Sequence, residues 1–137
     1  MTMNALPKFV NTIKLGAISI DSAAAEVTVY TGATEGSAIE MLSCCSTDTT
    51  AQILNLYLVD TAATSFALGA MSIPAYSGTN GSAKPVDLIN ATDMPQLPLN
   101  ALTNPTIYLP AGYKLNAKAQ SLHAAQTITV VAGARDF

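Results

Sequence analysis

A chain of 137 residues fits one domain, and at this size roughly two-thirds of the unfolded surface is buried on folding, so no disulfide staples are needed. Charged residues make up 11%, against about 25% in ordinary soluble proteins, while hydrophobic residues reach 50% and mean hydropathy is +0.34. The net charge of -3 and six scattered cations, Lys8, Lys14, Lys84, Lys114, Lys118 and Arg135, argue against a nucleic-acid partner, which needs a clustered basic patch.

Residues 1–11 have little pattern, Pro7 interrupts them, and they read as an N-terminal arm ahead of a single β domain over 12–137. They lack a basic region followed by an apolar core, and no apolar run reaches the length of about 18 residues that a membrane helix needs. The expectation is a soluble, intracellularly made chain with no membrane partner. From Thr12 to Ile20 the apolar residues Ile13, Leu15 and Ala17 sit on one parity and Ile18 and Ile20 on the other, which predicts a bulge near Gly16. Ser22 to Ala25 could start a helical turn, but the β-rich Val27 to Tyr30 follows at once.

Thr31 to Gly36 is a turn with two glycines, and Ala38 to Cys45 then alternates as a strand. The next strand, Gln52 to Val59, has Leu54, Leu56 and Leu58 on one face and Ile53, Asn55, Tyr57 and Val59 on the other. Neither is plainly a solvent face, so the strand belongs inside a sheet. Turn-rich flanks make it the middle of a three-strand meander with Ala38–Cys45 and Ser65–Ile73, where Gly69 marks a bulge or a close backbone approach. The leucine face is expected in the core. The other face is expected under the following excursion or at a subunit interface.

That excursion runs over 74–105 and holds five of the seven prolines, with one short strand at Val86–Ile89. Its apolar residues Leu88, Ile89, Met94, Leu97, Leu99 and Leu102 alternate with the prolines, so it reads as an ordered loop packing on its own sheet or on a neighbouring subunit. Thr106–Leu109, a tight turn at 110–112 and Tyr113–Gln120 come next, the last with a wet face of Lys114, Asn116, Lys118 and Gln120. Thr127–Ala132 closes the series. About eight short strands without a convincing helix predict an all-β single domain, a β-sandwich or jelly-roll-like barrel.

Catalytic constellations are sparse. The single histidine, His123, falls in a turn and reads as a solvent-facing loop residue, so neither a His-based triad nor a multi-histidine metal site is available. Most carboxylates sit in or beside turns, where Asp accepts backbone hydrogen bonds; Glu40 lies within a strand as a solvent-facing or interface charge. Cys44 and Cys45 are neighbours pointing to opposite faces and read as small buried thiols. Gly32 to Gly36 lacks the Lys-Ser/Thr and helix of a phosphate loop. No catalytic, cofactor or metal residues are assigned.

Three phrases carry a resemblance: Val29 to Ser37; Ser72 to Ala75 with the Gly/Asn-rich loop and Val86 to Asn90; and Tyr108 to Leu115, with Leu97-Pro98-Leu99 and Asn104 between. In that order, over 27–137, they resemble small virion structural proteins of tailed bacteriophages and prophages. The resemblance implies a non-enzymatic head decoration (cement) protein. Such a protein would associate as a homotrimer, stiffen the shell by bridging major capsid protein subunits, and localise to the capsid surface after synthesis in the bacterial host cytoplasm. The alternative is a tail or fibre accessory domain binding a host-surface glycan through Tyr76, Tyr113 and loop amides. Candidate interface residues are Ile53, Asn55, Tyr57, Val59, Tyr76, Leu97, Leu99 and Leu102.

Overall fold

The computed structural model describes residues 12–99 and 104–137; the expected arm over 1–11 and the candidate residue Leu102 lie outside the described residues. Nine strands form, β1 (Thr12–Ile20), β2 (Val27–Thr31), β3 (Ser37–Ser46), β4 (Gln52–Val59), β5 (Ser65–Ile73), β6 (Val86–Asp87), β7 (Ile107–Leu109), β8 (Lys114–Ala119) and β9 (Ile128–Asp136). All pairings are antiparallel. One sheet runs β1-β9-β3, with β6 and β7 sharing the far edge of β3; the other runs β2-β8-β4-β5. With β6 and β7 taken as two halves of one edge strand, this alternation between sheets is jelly-roll order, two Greek keys wrapped face to face. Among the described residues no helix is long and apolar enough to cross a membrane.

The core lies between the sheets and follows from alternation. Leu54 and Leu56 of β4 meet Leu42 and Cys44 of β3, Leu115 and Ala117 of β8, and Val130 and Ala132 of β9, all in one buried cluster. Full burial of a leucine contributes about 1.5–3 kcal/mol relative to exposure, so the leucine face of β4 is a principal apolar contribution to the sandwich. Leu58 is only half-buried, at the margin of that cluster. β8 has the expected wet face, with Leu115, Ala117 and Ala119 inside.

β4 is interior to its sheet, but it is not the middle of a meander. Its neighbours are β5 and β8, while β3 belongs to the opposite sheet. The reason is the segment 47–51, whose length suits a hairpin but which turns a corner between sheets around the fully buried Asp48. The bulge expected at Gly16 is also absent, since β1 pairs with β9 in unbroken register from Thr12 to Ile20. The parity change is real but has another cause: Ile13 and Leu15 face outward. A bulge does occur at Glu40, where the β3–β9 register skips a residue, and another at Leu68 beside Gly69. β9 continues past Ala132 to Asp136 because β1 and β3 pair with it on both sides, and 23–25 forms bends rather than a helical turn.

The excursion packs on its own domain. Leu88, Ile89 and Met94 are buried in the core, the Leu88 amide donates to the Leu42 carbonyl at 2.7 Å, and the Met94 methyl lies over Gly69. Gln96 Nε2 donates to the Leu68 carbonyl at 3.0 Å, so the excursion closes the side of the sandwich between β5 and β6. It enters between the sheets there, which leaves the outer face of β4 outside its anchors.

Candidate functional site

The two outer faces differ in chemistry. On the β2-β8-β4-β5 sheet the outward residues of β4 and its partner β8 are mostly polar: Asn55 opposes Lys118, Tyr57 opposes Asn116, and Gln120 Nε2 donates to Asn55 Oδ1 at 3.2 Å. On the β1-β9-β3 sheet the register aligns Leu15, Gly133 and Met41 in one row, Ala17, Val131 and Ser43 in the next, and Ile13 beside Arg135. Ile13 and Leu15 are 77% and 76% exposed and Met41 is 44% exposed, an unusual run of open apolar side chains on one sheet. Gly133 makes the floor of a shallow groove of about 240 Å³; a Cβ there would lie 3.2 Å from the Met41 Cβ. The rim charge is internally matched, Arg135 Nε donating to Glu40 Oε2 at 2.7 Å.

The sequence-derived interface residues are distributed around the fold. Ile53, Asn55 and Tyr57 share the outer face of the second sheet, Ile53 exposed and the other two half-buried by their strand neighbours. Val59 is buried, and Leu97 packs against the core. Leu99 is exposed at the edge of the excursion, where it bridges to Pro105. Tyr76 occupies the left-handed region at φ 58°, its amide donating to the Asp48 carbonyl. Tyr113 lies at the other end of the sandwich, where its carbonyl accepts from the Gly32 amide, so the two tyrosines are not brought together as one platform. Sequence reasoning missed the face of Ile13, Leu15 and Met41. The available signal was the parity break in β1, which places apolar residues on both faces of an edge strand.

Two buried carboxylates tie the ends of the sandwich. Asp48 accepts from the His123 amide at 3.0 Å, the Thr50 amide at 3.0 Å and Gln52 Nε2 at 3.0 Å, and His123 Nδ1 lies 2.7 Å from Oδ1. Burial alone would raise this carboxyl, but the His123 amide and ring and the Thr50 amide outweigh it and hold the group well below the usual carboxylate range. With Asp48 ionised, Nδ1 carries the proton and donates. His123 is thus an exposed loop residue, as its position suggested, whose ring nitrogen is nevertheless fixed by a carboxylate 75 residues away.

At the opposite end, Asp136 Oδ1 accepts from Tyr30 Oη and Ser37 Oγ, both at 2.7 Å, and Oδ2 pairs with Lys14 Nζ at 3.0 Å. Burial opposes ionisation here too, and the Ser37, Tyr30 and Lys14 donors overcome it, leaving the carboxyl lowered. Burial, reinforced by the Asp136 carboxylate, pushes Tyr30 up to about 12. The Asp136 cluster joins β2 of one sheet to β1, β3 and β9 of the other, and the Asp48 cluster joins the loop of His123 to the start of β4. Burial, with Cys45 alongside, likewise pushes the Cys44 thiol up to about 12, so it behaves as a small apolar side chain.

A cleft of about 480 Å³ opens beside β3 between the segments paired by β6 and β7, with a mixed lining of Glu40, Ser43, Asp87, Asn90 and Asn104 beside Met41, Ile89 and Pro105. Among the described residues no group of three or more His, Cys, Asp and Glu side chains is placed to hold a metal ion. Compared with family models, with curated proteins and with solved structures, the chain matches none. The structure therefore defines a class, a charge-poor jelly-roll sandwich whose β1-β9-β3 sheet carries a cluster of exposed apolar side chains on its outer face.

Proposed function

We propose that this chain is a non-enzymatic structural protein of a tailed-bacteriophage virion, a head decoration protein that self-associates and stabilises the shell by bridging major capsid protein subunits. The observation that carries the reading is the exposed apolar cluster of Ile13, Leu15 and Met41 on a sheet whose inner face already packs into a buried core. Apolar area of this kind is characteristic of surfaces that become covered by a partner. The jelly-roll order is compatible with the role, since viral capsid domains are among those built this way, although a fold alone does not specify a function. The phrases around Val29–Ser37, Val86–Asn90 and Tyr108–Leu115 supply the family resemblance.

The mechanism is mass action. A protein that binds only the assembled shell stabilises it by its binding free energy, and contacts to two subunits at once add effective concentration. Electron microscopy of intact particles tests the reading: density matching this sandwich on the outer surface of the head supports it. Particles whose heads carry none overturn it.

A further inference from the structure

A two-sheet sandwich has four edges, and three of them here are shortened, bulged or already paired. β2 has five residues and is interrupted by a register shift between Thr28 and Tyr30. β5 is bulged at Leu68, where Gln96 already occupies the backbone carbonyl. The far edge of β3 is taken by β6 and β7. β1 is different: it runs nine residues in unbroken register with β9, contains no proline and no bulge, and among the described residues no strand pairs with its outer edge. Natural sheets shorten, bulge or cover edges because unpaired N–H and C=O groups template another strand, so the one long regular edge identifies where a strand can add.

We propose that the outer edge of β1 is a self-pairing surface, through which two copies of this chain join antiparallel about a two-fold axis. An antiparallel edge is its own complement, and the other edges of the sandwich offer no matching partner, so the contact is isologous. Full overlap of the nine residues sets Gly16 opposite itself, Leu15 opposite Ala17 of the second copy, and Ile13 opposite Ser19. The outward side chains of the joined strands then form one continuous apolar strip, extending the row of Leu15, Gly133 and Met41 across the axis. Charge permits it. The one charged side chain of β1 is Lys14, which turns toward Asp136 and is matched there at 3.0 Å; Arg135 on the neighbouring strand is matched by Glu40. No like charges are brought face to face.

This inference names an edge and a symmetry, two-fold rather than the three-fold association that the family resemblance implies, and it stands or falls separately from the virion role. Capsid binding by a monomer would overturn it alone; a dimer that never binds capsids would overturn the virion role alone.

Light scattering and sedimentation of the full chain over a wide concentration range provide the test, with Leu15→Lys and Ile53→Lys as variants. Both positions are exposed, on opposite sheets, so each variant adds the same charge without entering the core. The wild type is expected to form a reversible dimer, Leu15→Lys to weaken it by about tenfold or more through like charges meeting across the axis, and Ile53→Lys to leave it unchanged. Amide exchange in 12–20 of the wild type should slow as concentration rises, a readout that holds even if a variant folds poorly. A strict monomer, a trimer, a dimer indifferent to Leu15→Lys, or exchange in β1 that does not respond to concentration would overturn the proposal.

Discussion

Asp48 and Asp136 show how single buried carboxylates organise this fold. Each is held below its ordinary value of 3.8 by donors from distant parts of the chain. A carboxyl lowered on folding contributes stability that is fully present above the ordinary value and is lost as pH falls from there through the folded value. The urea midpoint is therefore expected to be nearly flat from neutral pH to about pH 5 and to drop steeply below about pH 4. Asp48→Asn should lower the midpoint at neutral pH and flatten part of that acid slope, as followed by circular dichroism across a pH series. A slope identical to that of the wild type would show that Asp48 carries none of the effect. Tyr30→Phe removes one donor to Asp136 while keeping the ring, and its expected cost is about 1.5–3 kcal/mol, the range for a hydrogen bond to a charged group. Equilibrium denaturation measures it directly, and a loss below about 0.5 kcal/mol would mean that water replaces the phenol.

Among the elements, the excursion over 74–105 carries the clearest energetic claim. Met94 is 1% exposed and seats the loop over Gly69 of β5, so Met94→Ala leaves a cavity and should cost about 2–5 kcal/mol. Because the same residue anchors the loop, proteolytic cleavage within 74–105 should accelerate well before the whole domain unfolds; cleavage at the wild-type rate would show that Leu88 and Ile89 hold the loop without it. The strands themselves were largely legible, since the period-two pattern of Gln52–Val59 and Tyr113–Gln120 directly encodes which side chains face the core. Pairing partners were less so. The segment 47–51 has the composition of a hairpin turn, and nothing local reveals that Asp48 meets His123 and turns the chain into the other sheet. The end of β9 was missed for a related reason: Gly133 and Ala134 carry little strand propensity and are held extended by β1 and β3 on either side. The candidate surface was the least legible feature. The mixed pattern of β4 points to its outer face, whereas the most exposed apolar side chains, Ile13 and Leu15, belong to β1, where parity suggests a bulge that the unbroken register with β9 excludes.

For the whole molecule, low charge content goes with exposed apolar side chains on both sheets, Ile13, Leu15 and Met41 clustered on one and Ile53 and Phe66 on the other, where Asn55, Lys118 and Gln120 lie among them. The denser apolar cluster of Ile13, Leu15 and Met41 suits the side of a protein that a partner covers. The most direct measurement of the proposed role is binding of the purified full chain to tailed-phage capsids prepared without any decoration protein. The proposed role predicts saturable co-sedimentation with the shells and a rise in their thermal disruption temperature that follows occupancy. Shells that neither retain the chain nor gain stability at saturating concentration would contradict it.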